Sequence, residues 1–240
     1  MNEFNNTPVI STPPQAPGSA GWFPVWVKAV TQPNEQTFVD MTEHPDAQPK
    51  TAYIWIFLAG TLSAMVNGFV QAITVTNTLG EQGAFQGSAV GVVIGAVCAA
   101  PVAGAISALF FALGVAIMQW IAKLFGGTGT YDKLVYAIAA ISVPFTLVSV
   151  VLLPLNLIPY VGICTGLFGA GLGFYALFLQ ITAVKAVNRF GWGQAAGSVL
   201  IPGLVVLVVC SCVVGISFVL LGPAIGEVFS GIGEGLQFAP

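Results

Sequence analysis

Residues 126–133, GGTGTYDK, join a glycine-rich turn to a lysine and an aspartate, the materials of a phosphate-binding loop. The spacing rejects that chemistry. A phosphate loop needs glycine directly before its lysine, Ser or Thr after it, and a strand in front. Here Asp132 precedes Lys133 and Leu134 follows it, and a dinucleotide GxGxxG would need glycine where Asp132 stands. The same residues read better as a helix stop at Gly126 and Gly127, with Thr130 capping the next helix and Asp132 in its first turn, where an acidic group suits the helix dipole. Cys98, Cys164, Cys210 and Cys212 lie in apolar runs without metal-ligand spacing and read as small buried residues. The single histidine, His44, precedes Pro45 in a polar loop and receives no role. No ionisable group falls near the middle of an apolar run, where ion-coupled transporters carry theirs. Intramembrane proteolysis needs Ser/His, paired Asp or HExxH sets that are missing as well. The expectation is therefore no catalytic residue, no cofactor and no metal.

The polar residues left inside apolar runs are amides. Asn67 and Gln71 stand four apart and share a helix face. They read as hydrogen-bonding glue between helices. The sharper alternative groups them with Asn156 and Gln180 as the lining of a path for a small neutral or lipidic solute.

The elements that must position these residues follow from composition. Of 240 residues, 56% are hydrophobic and 6% charged, against about 25% charged in soluble domains. Such a chain cannot build a water-facing surface, and its net charge of −3 does not call for a nucleic acid. Runs of roughly 20 apolar residues read as spanning helices. The expected architecture is an all-α, polytopic membrane helix bundle of five transmembrane helices, at about 51–75, 100–124, 131–153, 159–187 and 193–221. Pro101 sits in the first turn of the second span, which leaves 86–99 as a shorter outer or interfacial helix, a re-entrant piece, or part of that span. Pro144 kinks the third span. Gly162, Gly166, Gly169 and Gly173 make a small-residue stripe that puts the fourth span at the centre of packing. Four regions result: a disordered tail at 1–20, an inner-face interfacial segment at 21–50, the spanning domain at 51–221, and an outer C-terminal tail at 222–240. In the interfacial segment Trp22 and Trp26 lie one helical turn apart beside Lys28, a pattern for a helix at headgroup depth with its lysine toward anionic lipid. The competing reading is an aromatic plug packed under the bundle.

Lys28, Lys50, Lys123, Lys133, Lys185 and Arg189 all fall on one side of this five-span layout. The positive-inside rule then places the N-terminus inside and the C-terminus outside.

Several motifs together resemble the Yip-domain family, named for proteins that interact with Ypt/Rab GTPases. Trp26, Lys28, Pro33 and Phe38 precede the first span, and Gly126, Gly127, Gly129 and Tyr131 lead into the third. Pro144 lies inside the third span, Pro159 and Gly162 open the fourth, and KAVNRFGWGQA (185–195) forms the turn before the fifth. The resemblance implies five spans, no enzymatic activity, and a role in membrane organisation of the trafficking kind. The compact loops resemble prokaryotic members, which implies a prokaryotic plasma membrane with a cytoplasmic N-terminus. Contact through the inner face is the expected mode of action, with the bilayer, other membrane proteins or a second copy as partners. Trp22, Trp26, Lys28, Phe38, Lys123 and Lys133 are the expected contact residues. The alternative function is a carrier or channel for a small neutral or lipidic solute.

Overall fold

The computed structural model describes residues 21–80, 88–158 and 160–237. Among the described residues there are seven α-helices and no strand: α1 Trp22–Thr31, α2 Glu35–Glu43, α3 Pro49–Gly80, α4 Ser88–Leu124, α5 Tyr131–Leu152, α6 Val161–Asn188 and α7 Trp192–Gln237. A 3-10 turn, Leu153–Leu157, extends α5. Five segments are long and apolar enough to cross a membrane: Pro49–Thr74, Val93–Leu124, Tyr131–Leu157, Val161–Asn188 and Trp192–Cys212.

Two boundaries differ from expectation. Residues 88–99 are continuous with the second span, and Pro101 lies inside α4 rather than at its start. A mid-helix proline costs one backbone hydrogen bond, which membrane helices tolerate because neighbours and local adjustment re-satisfy the freed group. The expected outer tail is also helical, since α7 runs on to Gln237.

The centre of the bundle is the third span. Leu134 through Ile141 and Val143 on α5 are all buried, and α5 touches α1, α2, α3, α4 and α6. A helical stretch covered on every side is core; this holds for 134–141 of α5, where Ala137, Ala139 and Ala140 keep it thin enough for its neighbours to close in. The glycine stripe of α6 does not play that part. A Cβ placed on Gly166, Gly169 or Gly173 would meet no described atom within 4 Å, and Leu167 and Phe174 beside them are exposed. The glycines that bring helices together lie between α3 and α4. A Cβ on Gly60 would stand 2.8 Å from that of Ser107; Gly104 meets Thr61, and Gly68 meets Ala96.

The four cysteines are likewise at the bundle surface, not inside it. Lipid is as apolar as the core, so a small thiol satisfies either position.

Candidate functional site

One end of the bundle carries the basic residues, and two loops and two short helices meet there. The first loop begins where α4 stops. Gly126 takes a φ of +85°, which suits glycine, and the Gly127 N–H bonds back to the Ala122 carbonyl at 2.9 Å. Thr130 occupies the N-cap of α5 but makes no side-chain capping bond, and Asp132 lies in the first turn as expected. The loop amides serve structure, not phosphate: the Thr128 N–H donates to the Asn188 carbonyl at 3.2 Å.

Asn188 is the residue that joins this loop to the α6–α7 turn, and composition gave no sign of it. It is buried beside Gln119, also buried. Gln119 Nε2 donates to the Gly129 carbonyl at 2.7 Å and to Asn188 Oδ1 at 3.0 Å. Asn188 Nδ2 donates in turn to the Val184 carbonyl at 3.1 Å and to Gln119 Oε1 at 3.4 Å. The loop glycines are small because this amide lies against them. A Cβ on Gly127 would come within 2.7 Å of Asn188 Oδ1, and one on Gly129 within 2.6 Å of the Val187 carbonyl oxygen. The only available signal was position, an amide near the end of each of two apolar runs. Arg189 ends α6 in the left-handed region at φ 56°, and Gln194 closes the second loop onto the first by donating to the Phe125 carbonyl at 3.2 Å. Tyr131 donates to the Ala112 carbonyl at 3.0 Å and pairs with the Tyr53 hydroxyl at 2.8 Å, tying α3, α4 and α5 together.

Helices α1 and α2 are seated on this end. Asn34 caps α2 by accepting the Thr37 N–H at 2.7 Å. Glu35 pairs with Lys185, while Glu43 lies 3.6 Å from Lys133 and 3.3 Å from Arg189. Tyr175 of α6 donates to the Val30 carbonyl at the end of α1, at 2.6 Å. Trp26 packs edge-on against the buried Trp55 at 5.5 Å between ring centroids, and Trp22 does so at 6.2 Å.

The expected contact residues therefore divide. Trp22 is 45% exposed, and Lys28 and Lys123 are exposed with no ion pair among the described residues. Trp26 is half-buried and acts as the plug envisaged in the alternative reading. Lys133 is partly engaged by Glu43. Phe38 is 0% exposed and packs in the core, because the apolar face of α2 is the one laid on the bundle; it leaves the contact surface. Pro159 lies outside the described residues, Pro144 is internal to α5, and Gly162 faces Asn156.

The four amides are not brought together. Asn67 donates to its own helix at the Ser63 carbonyl, at 3.0 Å. Asn156 sits in the turn between α5 and α6 and accepts from Thr165 at 2.6 Å. Gln180 lines an apolar cleft between α4, α6 and α7. Asn67 and Gln71 do share a groove between α3 and α4. That groove meets a cavity of ≈ 430 Å³ lined by Ser63, Asn67, Ser107, Ser142 and Thr146. No group of three or more His, Cys, Asp or Glu residues able to hold a metal occurs among the described residues.

These features define a class: a polytopic α-helical membrane protein with five candidate spans and two short N-terminal helices seated on the basic end of its bundle. A family model described as the Yip1 domain matches residues 27–213, and the chain belongs to that family. No curated protein and no solved structure matches it significantly.

Proposed function

We propose that the protein works without catalysis, by contact with partner proteins or lipid at the basic end of its bundle, and that this end faces the cytoplasm of a prokaryotic cell. The reading rests chiefly on how α1 is held. Ion pairs, the Tyr175 bond and the tryptophan cluster fix α1 and α2 against α3, α5 and α6, yet Trp22, Phe23, Val27 and Lys28 stay exposed. An apolar surface with a cation, fixed where the spans end, suits the interfacial layer. Exposed Lys123, Leu124 and Phe125 at the end of α4 add a second patch of the same character. Family membership supports the membrane placement on which this reading depends. Crosslinking in native membranes tests it: the triple change Trp22→Ala, Phe23→Ala and Lys28→Ala should remove most recovered protein and lipid adducts. An unchanged adduct pattern would overturn the reading.

A second reading, a carrier for a small neutral solute, draws on the polar cavity and the groove that continues it past Asn67. Toward the basic end Tyr53 and Tyr131 join α3 to α4 and α5, so passage would require that hydroxyl pair to part. Stopped-flow measurement of glycerol entry into proteoliposomes discriminates. Flux above that of protein-free vesicles, raised further by Tyr53→Phe, would favour the carrier.

A further inference from the structure

Between α1, α2 and the first turns of α5 lies a cavity of ≈ 240 Å³ that neither the family match nor the contact reading explains. Pro24, Val25 and Met41 give it apolar walls. Tyr136 lines it from below; this residue is 4% exposed, and its hydroxyl has no hydrogen-bond partner among the described residues. That oxygen opens into the cavity rather than being sealed from water, so it is placed to donate to an oxygen or nitrogen of whatever enters.

The polar groups around the cavity narrow its chemistry. Lys28 contributes one cation, and Asp40 and Asp46 contribute two carboxylates. Among the described residues Asp40 is bonded only from Gln36 on its own helix, at 2.7 Å. His44 Nδ1 accepts the Asp46 backbone N–H at 3.3 Å, which leaves the ring's other nitrogen to donate. One cation against two carboxylates disfavours a purely anionic ligand and favours one that carries both signs. The adjoining exposed residues of α1, Phe23 and Val27, are of the kind that suits the headgroup layer.

We propose that the cavity binds the phosphoethanolamine headgroup of a membrane phospholipid. Its primary ammonium donates to Asp40 and Asp46, its phosphate meets Lys28 and the His44 donor, and Tyr136 donates to a phosphate or ester oxygen. A primary ammonium is required because carboxylates bind N–H donors, which a quaternary choline lacks. The proposal rests on the basic end being a lipid-contacting surface and adds which lipid it selects.

The test is native mass spectrometry of the full chain, released from bilayers holding equal amounts of dioleoyl phosphatidylethanolamine, phosphatidylcholine and phosphatidylglycerol. Wild type should retain the ethanolamine lipid about tenfold over the other two, the effect of one charge-assisted bond. The double change Asp40→Asn and Asp46→Asn should bring that ratio close to one, and Tyr136→Phe should lower it about threefold. Lys50→Ala, at the same end but outside the cavity, should leave it unchanged. Unfolding midpoints of the variants confirm that they are folded. Equal retention of all three lipids by wild type overturns the headgroup selection while leaving the contact reading intact. Loss of all lipid adducts with the Trp22 and Phe23 changes, but no change in the lipid ratio with the Asp40 and Asp46 changes, has the same meaning. Displacement of the lipid by an equal concentration of soluble glycerophosphoethanolamine would overturn the membrane source of the ligand.

Discussion

Asn188 holds two loops together with one amide, and its removal has a definite cost. Asn188→Leu leaves Gln119 buried without its side-chain partner, a loss of roughly 1–3 kcal/mol for each unmet group. The expected result is a lower unfolding midpoint in detergent, partly restored by adding Gln119→Leu, since removing both partners can be nearly neutral. The glycines give a paired comparison. Gly129→Ala pushes a methyl against the Val187 carbonyl and should destabilise by about 1–3 kcal/mol, whereas Gly169→Ala enters open space and should not. Equal midpoints for these two variants would contradict the packing described above. Neither result was legible in the sequence. Both glycines sit in glycine-rich surroundings, and only the position of a neighbouring amide separates the essential one from the dispensable one.

Among the elements, α5 and α6 show what a pattern conveys and what it does not. The spans were legible because roughly 20 apolar residues in a row have few folded solutions outside a bilayer. Which span is central was not, since in lipid an exposed apolar face and a buried one have the same composition. The alanines of α5 and the glycines of α6 look alike as small residues, yet only the former are covered. The same ambiguity sent the cysteines inward on paper and outward in the bundle. Phe38 fails for a related reason: a short amphipathic helix presents its apolar face to lipid or to protein, and periodicity does not choose. The seating of α2 is testable. Glu43→Gln releases both Lys133 and Arg189, and such half-exposed pairs contribute roughly 0.2–1 kcal/mol each. Hydrogen exchange along α2 should quicken, and high salt should produce the same change in the wild type. Unaltered exchange in both cases would mean that core packing of Phe38 and Met41 alone holds the helix.

For the molecule as a whole, the testable property is which ends share a compartment. Five spans alternate, so Lys123 at the end of α4 and the exposed Tyr160 before α6 belong on opposite sides. In a background without the native cysteines, an impermeant maleimide added to intact cells should label Tyr160→Cys and spare Lys123→Cys until the membrane is opened. Labelling of both from outside would remove the proposed orientation. The ion pairs at the basic end also bear on how the protein is made. Glu35 and Glu43 leave the ribosome early, but Lys185 and Arg189 follow 150 and 146 positions later. At roughly 5–20 residues per second that interval is on the order of ten to thirty seconds. Helices α1 and α2 are thus made well before the cations of α6 that complete their seat. Until the fourth span has been delivered, Glu35 remains open to the insertion machinery or a chaperone.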